Sequence, residues 1–205
     1  IDMAAWQGML AAPQSLRALR LSLWTGITSS LLAVAISAWI MSHHFPARWP
    51  ALVRLLGPML AVPHAAFGIG LVFLLSPSGW LLRAVSPWAS GFTDPPPWIT
   101  TQDPWGLGLI IVLVAKEIPF LLWAAAAQLQ RADVALRLTR ERDLARTLGY
   151  APNQAWWRVV WPQLWTRITA PVLAVAAYSL TVVDVALVIG PASPVTAAVL
   201  SWQWL

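Results

Sequence analysis

Cysteine is missing from all 205 residues, which excludes disulfides, thiol catalysis and cysteine-based metal sites. Charge is scarce: 10% of the residues are Asp, Glu, Lys or Arg, against roughly 25% in soluble globular chains. Hydrophobic residues make up 59%, above the usual share of about 45–50%. A chain this apolar cannot hide its surface in one core, so the bilayer is its expected solvent. There is no Gly-rich loop ending in Lys-Ser/Thr to cradle a nucleotide's phosphates. No Ser-His-Asp or paired-carboxylate constellation stands at a usable spacing, and no internal repeat is visible. The net charge of +5 would suit nucleic acid, but the basic residues cluster in one connection between apolar runs. That distribution fits positive-inside membrane topology instead, and no nucleic-acid partner is expected.

What is present is four apolar runs. Arg17 and Arg20 precede Leu21 to Met41, and further runs cover 55–76, 106–129 and 168–189. A bilayer core of about 30 Å needs about 20 helical residues, so each run can span. Residues 1–15, which include Pro13, read as a short interfacial or irregular lead-in. Pro58, Pro63, Gly57, Gly68 and Gly70 interrupt the second run, which lipid permits where neighbouring helices satisfy the freed backbone groups. Ala65, Ala66, Gly68 and Gly70 would let another helix approach closely. Residues 77–105 carry Pro95-Pro-Pro97 and Trp80, Trp88, Trp98 and Trp105. This connection reads as an interfacial element, either a lid or a short helix, rather than a span.

The region from Arg131 to Arg167 holds seven of the thirteen basic residues. Placing it in the cytoplasm puts 77–105 outside and the 43–54 loop, with Arg48 and Arg54, inside. Arg17 and Arg20 then fall outside, a mild disagreement that the larger cluster outweighs. Thr139 to Leu148 is rich in helix formers. Gly149 is placed to stop that helix, and Pro152 to open another over about 152–161. This second helix would show Trp157, Val160 and Trp161 on one side and end at Pro162.

Three charges lie inside apolar runs. Each costs a contested ~2.5–3.5 kcal/mol or more near a bilayer midpoint and so needs a partner or a cavity. Lys116 and Glu117 are adjacent, point about 100° apart and cannot pair well with each other. One of them either lines a solute path or an interface, or it partners Asp184 or backbone in a structural pair. Asp184 stands about two-thirds along the fourth run, where it could contact solute or neutralise Lys116. His43, His44 and His64 lack neighbouring carboxylates, so no metal site is expected.

The stretch Asp143-Leu-Ala-Arg-Thr-Leu-Gly149, followed thirteen residues later by Pro162 in Val159-Val-Trp-Pro162, resembles the cytoplasmic coupling loop of binding-protein-dependent ABC importer permeases. That signature runs Glu-Ala-Ala, three residues, Gly, nine residues, Ile, one residue, Leu-Pro. Asp143 stands for the Glu, Leu144 and Ala145 for the two alanines, Val159 for Ile and Trp161 for Leu, while Gly149 and Pro162 match. Pro58-Met-Leu-Ala-Val-Pro-His-Ala-Ala-Phe-Gly68-Ile-Gly70 is similar to that family's Pro-rich second core helix. Tyr178 to Gly190 with Pro191-Ala-Ser-Pro194 is similar to the segment after its loop. The likeness covers about 15–205 and looks closest to the thiamine- and iron-type permeases, often two fused halves.

The resemblance implies an all-α membrane protein of the type I importer, MetI-like kind. Such a chain is a multi-pass protein of the bacterial inner membrane that forms a solute path and needs no cofactor. It hydrolyses nothing itself, in keeping with the missing phosphate loop. Its partners would be an ATP-binding cassette subunit, a second permease half and a periplasmic solute-binding protein. Asp143, Ala145, Gly149, Val159, Trp161 and Pro162 would form the ATPase-coupling loop. The family core has five helices, of which four are visible here, and the chain opens on Ile1. Both features point to a fragment lacking the last helix. The competing classes are an ion-coupled secondary transporter built on Asp184 or Glu117 and a membrane assembly protein. Co-purification with an ATPase, or transport on an ion gradient alone, would separate them.

Overall fold

The computed structural model describes residues 7–8, 11–46 and 49–204, and among these every regular element is helical. Residues 1–6 of the lead-in, and Arg48 of the 43–54 loop, lie outside the described residues. In chain order the elements are α1 (Pro13–His44), α2 (Trp49–Ala61), α3 (His64–Leu75), α4 (Trp80–Val85), α5 (Leu107–Leu129) and α6 (Ala132–Thr147). After them come α7 (Pro152–Ala155), a π-helical turn (Trp156–Val160), α8 (Trp161–Thr181), α9 (Asp184–Ile189) and α10 (Ala197–Gln203). Pro13–His44, His64–Val85 and Leu107–Leu129 are long and apolar enough to cross a membrane. The chain is an all-α membrane protein.

Two of the four apolar runs are not single helices. The run 55–76 is divided between α2 and α3. Pro63 sits extended at φ −60°, ψ 148° ahead of His64, because it lacks the N–H for helical bonding and disfavours helical backbone in the residue before it. Pro58, by contrast, is tolerated inside α2. The run 168–189 is divided after Thr181. Thr181, Val182 and Val183 are three consecutive β-branched residues, whose stiff side chains crowd a helical turn. Asp184 therefore opens α9 rather than standing two-thirds along one helix, and its charge lies at the end the helix dipole favours.

The chain folds as two compact units. The first comprises Ile1–Ser29, Val62–Leu113 and Ala176–Leu205. Its core packs Leu109, Val112 and Leu113 of α5 against Val185, Ala186 and Ile189 of α9, with Val199 of α10. Gly68 lies against Val185 and Val188, whereas Gly70 faces open space, so only one of the two glycines serves a close approach. Gly26 brings α1 onto α8, and a Cβ there would fall 2.6 Å from a Leu180 side-chain carbon. The connection 77–105 contains one short helix, α4, and Trp80, Trp88, Trp98 and Trp105 are all exposed. It ends on Asp103, whose carboxylate accepts from Leu107 N at 2.8 Å and Gly108 N at 3.0 Å and so starts α5.

The second unit comprises Ser30–Ala61 and Val114–Val175. Its core joins Met41, Phe45 and Leu56 to Leu122, Ala125 and Ala126 of α5, Val134 and Leu138 of α6, and Trp156, Val160, Leu164 and Ile168. The last four recur at intervals of four, the stripe by which a helix buries one face.

Candidate functional site

In the second unit, α6 and the segment after it build one corner. α6 turns Val134, Leu138 and Ala145 to the core and leaves Asp143 and Leu144 exposed. It ends at Gly149, which adopts φ +92°. Tyr150 N donates to Ala145 O and Gly149 N to Arg146 O, each at 3.1 Å. This pair of bonds satisfies the terminal carbonyls in the way a left-handed glycine cap does. A Cβ at Gly149 would meet nothing within 4 Å, so the backbone angle rather than space calls for glycine. Pro152 occupies the first turn of α7, and Ala151 N donates to Gln154 Oε1 at 3.2 Å.

The expected proline stop does not form. The chain runs from α7 through the π turn and past Pro162 into α8. The wider turn, closed by Trp161 N donating to Trp156 O, makes room for the ring that would otherwise clash with the preceding carbonyl. The buried face also differs from the expected one. Trp156 is 2% exposed and Val160 wholly buried, while Trp157 is largely on the surface. Trp161 is half-buried, its ring 6.5 Å from Trp156, 5.8 Å from Trp157 and 5.7 Å from Trp165. Part of the bulk of Trp161 is thus packed against neighbouring tryptophans of its own chain.

Of the remaining motif residues, Ala145 is buried, Val159 half-buried and Pro162 exposed. Asp143 is exposed, with Oδ1 accepting from Arg142 Nε at 3.0 Å and Nη2 at 2.6 Å. Arg142 also reaches Phe45 O at 3.4 Å, just past the end of α1. Around the glycine cap, large apolar side chains stand out from the core: Leu144 is 61% and Leu148 72% exposed, with Tyr150 and Trp157 beside them in sequence. Arg158 lies over the Tyr150 ring at 5.9 Å.

Three functional candidates escaped the sequence reading. Arg137 Nε donates to Glu141 Oε1 at 2.8 Å, Gln163 Nε2 donates to Glu141 Oε2, and the same amide donates to Val159 O at 2.9 Å. These bonds, Arg137's first and Gln163's second, hold the Glu141 carboxyl below the usual carboxylate range. The i,i+4 spacing of Arg137 and Glu141 was a visible signal. Nothing in the sequence pairs Glu141 with a glutamine twenty-two residues on.

The charges of the apolar runs have different surroundings within their own units. Lys116 and Glu117 are each 4% exposed on α5. Lys116 Nζ donates to Met59 O at 2.7 Å. In a continued helix that carbonyl would accept from residue 63, and Pro63 has no N–H to give. Lys116 thus meets a backbone carbonyl that the helix itself leaves without a donor. Asp184, in the first unit, is exposed. His43 and His44 donate from Nδ1 to Trp39 O and Ile40 O at 2.9 and 2.8 Å, and the His64 ring lies 4.9 Å from that of Tyr178. Among the described residues no group of three or more His, Asp or Glu is placed to hold a metal.

No family model matches the chain. Over its whole length it is 33% identical, across 206 aligned positions, to the inner membrane ABC transporter permease protein YnjC of Escherichia coli (strain K12). The chain spans 38% of that protein's length. With its membrane-length helices, the chain is a helical inner-membrane protein related along all its residues to an ABC transporter permease.

Proposed function

We propose that the chain belongs to the membrane-spanning subunit of an ATP-driven importer of the type I, MetI-like kind, akin to the thiamine- and iron-type permeases. In this reading it forms part of a solute path and is moved by an ATP-binding subunit docked on residues 143–162. A second permease half and a periplasmic solute-binding protein complete the assembly, and ATP is hydrolysed on the partner.

The observation that carries this reading is the exposed apolar corner around Gly149. Leu144 and Leu148 stand out from α6 in the most arginine-rich connection of the chain, the stretch that the positive-inside rule assigns to the cytoplasm. Apolar side chains exposed outside lipid, on helices anchored from behind by a buried face, mark a protein-docking surface. The left-handed cap fixes the angle at which the two helical segments present it. Lys116 has a structural role at the end of α2, whereas Glu117 and exposed Asp184 are the charges to test for contact with solute.

The test is affinity purification of the intact transporter carrying Leu148→Asp. The docking reading expects the ATP-binding subunit to co-purify with the parent protein and to be lost with the variant. Asp143→Lys should keep the protein in the membrane while uncoupling transport from ATP hydrolysis. An ATPase that stays bound to Leu148→Asp at the parent level would sink the assignment of the surface.

A further inference from the structure

The π turn poses a mechanical problem for any push delivered at the Gly149 corner. It lies between that corner and α8, and it is a place where helical hydrogen bonding is irregular. Pro162 deepens the gap, since it offers no N–H to a carbonyl in the preceding turn. A displacement entering at Leu144 or Leu148 could be absorbed there by bending and never reach α8. Trp156, the first residue of the turn, carries a buried indole N–H with no hydrogen-bond partner among the described residues.

One side chain crosses the gap. Gln163, the residue after Pro162, uses both hydrogens of its amide: one bonds Val159 O inside the π turn at 2.9 Å, the other Glu141 on α6. The bond to Glu141 is of the charge-assisted kind, stronger than a neutral one. Glu141 is held in turn by Arg137 one helical turn away. A single amide thus ties α6, the π turn and the start of α8 together within one unit.

We propose that Gln163 and Glu141 are positioning residues that clamp the π turn, so that α6 and the first half of α8 move as one body when the corner is displaced. The inference rests on the docking reading above and adds the route by which docking moves a membrane helix. It gives physical content to coupling through a rigid element rather than through a chain of contacts.

These 205 residues hold no cysteine, so once any cysteine elsewhere in the transporter is replaced, every label reports an introduced position. Spin labels go on cysteines introduced at Leu136 and Thr166, both exposed on α6 and α8. Their separation is measured in the intact reconstituted transporter, without nucleotide and after trapping with magnesium, ATP and orthovanadate. The clamp predicts one narrow distance in both states. Gln163→Leu should broaden it in both states and abolish ATP-driven displacement of a label placed at Leu173, farther along α8.

Glu141→Gln leaves a side-chain oxygen that still accepts from Gln163 Nε2 while the other amide hydrogen keeps Val159 O, and it should hold the distance narrower than Gln163→Leu does. An unchanged distribution in Gln163→Leu, or one as broad in Glu141→Gln as in Gln163→Leu, overturns the proposal. If Gln163→Leu does not fold, Gln163→Glu alone sets two carboxylates face to face and must broaden the distance for the clamp to stand. Failure of the docking reading shows itself separately, as a transporter that binds no ATPase while its nucleotide-free distances still report the clamp.

Discussion

At the scale of single residues, the corner depends on one backbone angle and one carboxylate. Gly149 holds φ +92° with nothing near its missing Cβ. Gly149→Ala should therefore lower stability by about 1 kcal/mol through the left-handed angle alone, a shift that thermal unfolding in detergent would detect. Glu141 is bound by Arg137 and Gln163, and its folded pKa lies below the ordinary value. A depressed carboxylate pKa contributes stability above the unfolded value, near ~4.3 for Glu, and that contribution fades as pH falls through the folded one. The melting temperature of the parent should thus fall more steeply than that of Glu141→Gln on acidification below about pH 4. Parallel curves would show that the carboxylate does not stabilise this fold.

At the scale of elements, the helix interruptions show what was legible and what was not. Pro63 lay in plain sight as a break, yet Pro58, Pro119 and Pro171 sit inside helices. In each case the surrounding packing, not the proline, decides whether the axis continues. Pro162 was read as a stop because a regular helix cannot take its ring. The π turn removes that conflict, and no periodicity in the sequence announces a π turn. The break at 182–183 leaves no mark in hydropathy, because Val182 and Val183 are as apolar as the spans around them and branching at Cβ does not change that. Gly149 and Pro152 were legible since each has a local backbone reason that needs no tertiary context. The contact of α1 with α8 at Gly26 belongs to the other class. Gly26→Ile would force Leu180 and its backbone aside, and overpacking of this kind costs typically about 1–3 kcal/mol. Hydrogen exchange should show faster opening around 176–181 in that variant if the crossing is as tight as described.

At the scale of the whole molecule, composition alone was enough to set the solvent. A chain with 59% hydrophobic and 10% charged residues cannot cover itself in water, and its long helices bear that out. The relationship to an ABC transporter permease covers the chain end to end, where the resemblance read from the sequence covered about 15–205. The proposed direction in which the chain sits rests on the arginines of 131–167 and can be checked with introduced cysteines. A cysteine replacing Trp88 should react with an impermeant maleimide added outside intact cells. One replacing Leu148 should react only after the membrane is opened. The reverse pattern would invert the topology and remove the docking surface from the cytoplasm.

Lys116 carries one further consequence. It is the sole lysine in the chain, and its ammonium is buried against the Met59 carbonyl where α2 ends. These 205 residues therefore offer one side-chain amine, and it lies against the joint at the end of α2. Acylation by a membrane-permeant reagent becomes a clock on the opening of that joint. Its rate should rise in any state that draws α2 away from α5, and a Pro63→Ala chain, whose backbone could claim the Met59 carbonyl for itself, should react faster than its parent even at rest.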